Sequence, residues 1–129
     1  MRTRGNTLAC VKKKPPRLVL GLGLSGLAAA VDGRFRTRGW DVVRAGTGDE
    51  AARVAFRYKA PVVVMAVEGD AESGVLACAK LVLGRPHARV VLVGPEDRRL
   101  AKFARLAGAV GYLPRDAGPA AIERAVMGN

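Results

Sequence analysis

The chain has 129 residues, half of them hydrophobic, and a formal net charge of +11. That length suits one globular domain with a real core, and no apolar run approaches the roughly 18 residues of a membrane-spanning helix. The basic opening MRTRGNTLACVKKKPP has no apolar stretch before Pro15, so it does not read as a secretory signal and a cytoplasmic protein is expected. Cys10 and Cys78 show no C-x-x-C or metal-like spacing, so free thiols and no metal site are expected.

Residues 1–16 read as a basic tail ahead of a domain spanning 17–129. Within residues 1–17, Arg2, Arg4, Lys12, Lys13, Lys14 and Arg17 concentrate +6 of the charge with no acid among them. Such a segment can hold nucleic acid by charge alone. A solvated tail is the plainer reading, and an aromatic content of 5% supplies no base-stacking platform.

From Arg17 onward the pattern is regular. RLVLGL (17–22) is a strand, and residues 25–39 form a helix with Leu24, Leu27, Ala28, Val31 and Phe35 at helical spacing. WDVVRA (40–45) is a second strand, followed by a helix over 49–59 with Ala51, Ala52, Ala55 and Phe56 inward. PVVVMAV (61–67) and RVVLV (89–93) are buried β-branched strands around a helix at 74–84. Pro95 and Asp97 open a helix over 96–108, with Leu100, Phe103, Ala104 and Ala107 on its buried face. AVGYL (109–113) is the fifth strand, and Pro119 sits in the first turn of a final helix at 118–127. Five β-α repeats with strands apolar on both faces imply a parallel sheet covered by helices on each side, a doubly wound α/β fold. Ligand chemistry on such folds gathers at the carboxyl ends of the strands.

One motif at such an end is Gly21-Leu-Gly23-Leu-Ser-Gly26, a G-x-G-x-x-G between a strand and a helix. The stretch GLGLSGLAAA also resembles the nucleotide-fold segment of the muramoyl ligases. A Rossmann-like nucleotide or small-anion site would use Gly21, Gly23 and Gly26, with Arg44 placed to meet a 2′-phosphate. Against it, the second strand ends Arg44-Ala45 with no Asp or Glu for a ribose, and 129 residues leave no room for a substrate domain. His87 stands in the GRPHA loop and reads as a surface residue. No cofactor and no enzymatic activity are expected.

A second resemblance covers residues 17 to 127. The segment ARVVLVGPEDRRLAKFARLAGAVGYLPRDAGPAAIERAV (88–126) resembles the last third of the receiver domain of two-component response regulators. RGWDVVRAGTGDEAARVAF (38–56) and APVVVMAVEGDAESGV (60–75) resemble its second strand with helix and its third strand with loop. The resemblance implies a flavodoxin-like (βα)5 fold with strand order 2-1-3-4-5. It also implies a phosphoacceptor Asp ending strand three, an acidic Mg²⁺-binding pair after strand one, and a Ser/Thr and a Lys on the phosphoryl oxygens. These positions fall on Ala66, on Leu22 and Gly23, on Val93 and on Arg115. Alanine, leucine and valine provide neither nucleophile nor metal ligand, so only the cationic place is filled. Shifting the acceptor by one gives Val67 and by two gives Glu68, which with Asp70 reads as an ordinary loop carboxylate.

The resemblance thus implies a degenerate receiver that signals or scaffolds by protein–protein contact, independently of phosphorylation. In the family, helix four, strand five and helix five form the usual output or dimer face. Here Arg98, Lys102 and Arg105 make a basic stripe at i, i+4 and i+7, with Arg99 beside them and Tyr112 and Arg124 on the neighbouring elements. An acidic protein surface, or a second copy of the chain, is the partner expected there.

Overall fold

In the computed structural model, residues 15–23, 25–67 and 71–128 are described, 71–73 by their backbone. Most of the basic tail, Cys10, Leu24, Glu68 and Asp70 lie outside the described residues. The elements are β1 (Arg17–Gly21), α1 (Gly26–Thr37), β2 (Asp41–Arg44), α2 (Gly48–Tyr58), β3 (Val62–Ala66) and α3 (Ala71–Gly84). They continue as β4 (Arg89–Gly94), α4 (Arg98–Leu106), β5 (Gly111–Pro114), a 3-10 turn over Arg115–Ala117, and α5 (Gly118–Met127). The strands pair in parallel in the order β2-β1-β3-β4-β5, the flavodoxin-like arrangement expected.

Alternation along the strands divides the core between the sheet's two faces. Leu18, Leu20, Val62, Val64, Val91 and Val93 pack against Ala28, Val31 and Phe35 of α1 and Ile122 and Val126 of α5. Val19, Val63, Met65, Val90 and Leu92 face Ala51 and Ala55 of α2, Cys78 and Leu81 of α3, and Ala104 of α4. Phe35 is fully buried and meets Trp40 edge to face at 5.1 Å. Cys78 is a free, buried thiol whose pKa burial pushes up to about 11.

Three helices begin where a short polar side chain accepts an orphan N–H. Ser25 Oγ accepts from Ala28 N, Thr47 Oγ1 from Glu50 N, and an Asp97 carboxylate oxygen from Arg99 N and Leu100 N; each such cap stabilises by about 1 kcal/mol. At the other end of α5, the Arg89 guanidinium donates to the carbonyls of Ala125 and Val126, satisfying acceptors of the last turn. Glu123 of α5 accepts from both Arg34 and Arg38 of α1. Hydrogen bonding from Arg38 leads the causes that hold its carboxyl below the ordinary value.

Two inward assignments fail, Phe56 and Phe103. Phe56 is 53% exposed. α2 lies so close to the sheet that a Cβ on Gly21 of β1 would sit 2.5 Å from Ala51 Cβ, and one on Gly48 of α2 would sit 2.8 Å from the Ala66 carbonyl oxygen. Only alanines fit that contact, and the large ring of Phe56 turns sideways over Gly84 of α3. Phe103 is 50% exposed, because the short helix α4 buries Ala104 and half-buries Leu100 and Ala107, leaving Phe103 on the flank. Gly26, by contrast with Gly21, is not held to glycine by its neighbours. A Cβ there meets nothing within 4 Å, so close helix packing does not require it.

Candidate functional site

The carboxyl edge of the sheet is built by the residues that end β1, β3, β4 and β5. Strand register sets Ala66 beside Val93 and Val93 beside Leu113. Leu22 follows β1, and Gly23 then turns the chain into α1 with φ +70°, a conformation glycine adopts without strain. Leu22, Ala66 and Val93 are 6%, 8% and 1% exposed and belong to the apolar cluster beneath α1 and α5. The sheet edge is therefore an extension of the core. No polar or charged residue is buried among the described residues. Nor, among them, do three or more His, Cys, Asp or Glu side chains gather as a metal site would require.

Arg115 is the cation at this edge. The 3-10 turn after β5 carries it back over the sheet, and its Nη2 donates to the Val67 carbonyl at 3.1 Å. Val67 N in turn donates to the Val93 carbonyl at 2.7 Å. The five sequence-derived pocket positions thus share one end of the fold, with Arg115 fastening the end of β3 to the end of β5.

Tyr112 reaches the loop that leads into α4. Its hydroxyl donates to the Pro95 carbonyl at 2.6 Å, and its ring end lies over Gly94, where a Cβ would come within 2.8 Å of the phenolic oxygen. Burial, followed by the charge of Asp97, raises its pKa above the ordinary phenol value, while Arg115 acts in the opposite direction. Ultraviolet titration is expected to show Tyr112 ionising late, and Asp97→Asn, which keeps a capping side chain, is expected to lower that pKa. The neutral phenol's contribution to stability is complete below the unfolded pKa of about 10 and is lost as pH rises through the folded value. A Tyr112 titrating at or below the ordinary value would contradict this environment.

Arg98, Arg99, Lys102 and Arg105 of α4 are all exposed, as is Arg124 of α5, while Tyr112 is half-buried. None of the five cations forms an ion pair with another described residue. α4 packs on β5 and β5 on α5, so the six residues belong to adjoining elements. The surface also carries apolar groups that inward-facing periodicity did not assign to it. Phe103 (50% exposed) and Leu106 (75%) lie one turn beyond Arg99 and Lys102 on the same flank. The spacing itself held the signal: Leu106 does not fall on the Leu100–Ala104–Ala107 stripe.

The glycine turn is explained without a nucleotide. Gly21 is filled from above by Ala51 and the Thr47 carbonyl, leaving its face closed to a ligand. Arg44, the residue placed for a 2′-phosphate, donates to Asp32 at 3.2 Å. The Rossmann-like alternative is not favoured.

A parallel five-stranded sheet in this order, wrapped by five helices, is the flavodoxin-like arrangement that receiver domains share. A CheY-like receiver domain protein from Methanospirillum hungatei JF-1 superposes with a TM-score of 0.77 at 16% identity, over 88% of this chain and 92% of that one. A response regulator from Burkholderia pseudomallei, solved with a phosphorylated aspartic acid, calcium and citrate, is 25% identical with a TM-score of 0.72. That likeness covers 87% of this chain and 66% of the Burkholderia chain. Among curated proteins, the transcriptional regulatory protein PdtaR of Mycobacterium tuberculosis is 35% identical over 80 residues. Those residues are 61% of this chain and span 39% of PdtaR, well under two thirds of its length. No family model matches the chain. No helix among the described residues is long and apolar enough to cross a membrane.

Proposed function

We propose that the chain is a receiver-type module of two-component signalling that acts by protein–protein contact and takes no phosphoryl group. The observation that carries this reading is the composition of the sheet edge. On the alignment that places Gly74 and Gly39 in register with receiver sequences, Ala66 stands for the acceptor, Leu22 and Gly23 for the metal-binding pair, and Val93 for the hydroxyl. Three of these side chains are packed into the core, and none supplies a nucleophilic oxygen or a hard ligand for Mg²⁺. Arg115 retains the cationic place and spends its hydrogen bond on the Val67 carbonyl.

The α4–β5–α5 face then serves as the output surface. Its cations, Arg98, Arg99, Lys102 and Arg105, with Tyr112, Arg124 and the exposed Phe103 and Leu106, combine charge with apolar contact area, the mix that carries energy in interfaces. The partner is a protein with an acidic docking surface, or a second copy of the chain that covers the same face.

Incubation with acetyl phosphate and Mg²⁺, followed by intact-mass spectrometry, tests the first part. The chain is expected to remain unmodified, and a stoichiometric gain of one phosphoryl group would overturn the reading.

A further inference from the structure

A second surface lies between α2 and α3, on the face of the sheet opposite α1 and α5. The close seating of α2 on the sheet turns Phe56 outward, and α3 presents Leu76 to the same side; the two are 53% and 54% exposed. Between the helices runs an open groove of about 740 Å³ with the buried Leu81 in its lining. Arg53 and Arg57 of α2 and Lys80 of α3 border it, and among the described residues Asp49 is the one carboxylate in its lining. None of these four forms an ion pair with another described residue.

We propose that this α2–α3 groove is a docking site for an acidic amphipathic helix of a protein partner. An apolar cleft of this size between two helices accepts the large side chains of a third helix laid along it. The cationic border selects the charge of the residues flanking those side chains. The chain's own opening segment does not suit the groove, since Arg2, Arg4, Lys12, Lys13 and Lys14 share the border's sign. A second copy docked by the same face would set these cations against one another. A nucleic acid would satisfy the charges but leave Leu76 without an apolar partner. The proposal is independent of whether the sheet edge takes phosphate.

The probe is a fluorescent synthetic helix about four turns long, with Leu at i, i+3, i+4 and i+7 and Glu between. Anisotropy is expected to show saturable binding, with amide shifts confined to α2 and α3. Leu76→Ser is expected to weaken it about tenfold, as is the Arg53→Glu/Lys80→Glu pair. Both variants alter exposed positions, and amide spectra of the free proteins establish that each is folded. Arg98→Glu/Lys102→Glu on α4 is expected to leave this binding unchanged. The proposal is overturned by absence of binding, by equal affinity for a helix with Lys in place of Glu, or by shifts centred on α4. Equal affinity for a single-stranded oligonucleotide that shifts the same α2 and α3 amides also overturns it.

Discussion

Ala66→Asp is expected to destabilise the protein by about 2–4 kcal/mol at neutral pH, because it places a carboxylate in a dry apolar setting. Ala66 is 8% exposed and shares its cluster with Leu22 and Val93, neither of which can donate a hydrogen bond from its side chain. Arg115 is the nearby cation, but its Nη2 is already committed to the Val67 carbonyl, and turning to a new carboxylate would strip that carbonyl of its donor. The introduced acid should therefore have a raised pKa. With the folded state holding its proton more tightly than the unfolded chain, the deficit grows as pH rises above the ordinary aspartate value and shrinks below it. Urea unfolding at several pH values measures this. A variant as stable as the wild type at neutral pH would mean that the edge is still a polar pocket, ready for a carboxylate.

Gly21→Ala is the second large effect, about 1–3 kcal/mol of destabilisation from overpacking. Its Cβ would stand 2.5 Å from that of Ala51 and 3.0 Å from the Thr47 carbonyl, so α2 must move off the sheet. Ala51→Gly removes the nearer clash and is expected to recover part of the loss in the double variant, a coupling that a thermodynamic cycle isolates. Equal and additive losses in the two single variants would remove the packing explanation. Gly26→Ala is the internal comparison: nothing lies within 4 Å of its Cβ position, and its effect should be small.

These two glycines show what could be read from the chain and what could not. The alternation of five apolar strands with five helices fixes the doubly wound class, since strands buried on both faces need helices on both sides. Receiver-like spacing then aligned Ala66, Val93 and Arg115 at one edge, where the fold does bring them together. Helix rotation was less legible. Phe56 and Phe103 both satisfy helical periodicity, yet the depth of a helix on its sheet depends on partners distant in sequence. Gly21 and Gly48 bring α2 down onto β1 and β3, and that approach, invisible within α2 itself, expels Phe56 and opens the groove beside α3. The same distance in sequence hid the reason for the G-x-G-x-x-G: Gly21 answers to Ala51, thirty residues on, and no local pattern distinguishes that from a nucleotide turn.

On the function proposed above, the sheet edge does not recognise a phosphoryl group. Amide spectra recorded while Mg²⁺ and beryllofluoride, a phosphoryl analogue, are added test it most directly. No saturable shift is expected at Leu22, Ala66, Val93, Tyr112 or Arg115. Saturable shifts at those residues that require both Mg²⁺ and beryllofluoride would contradict it.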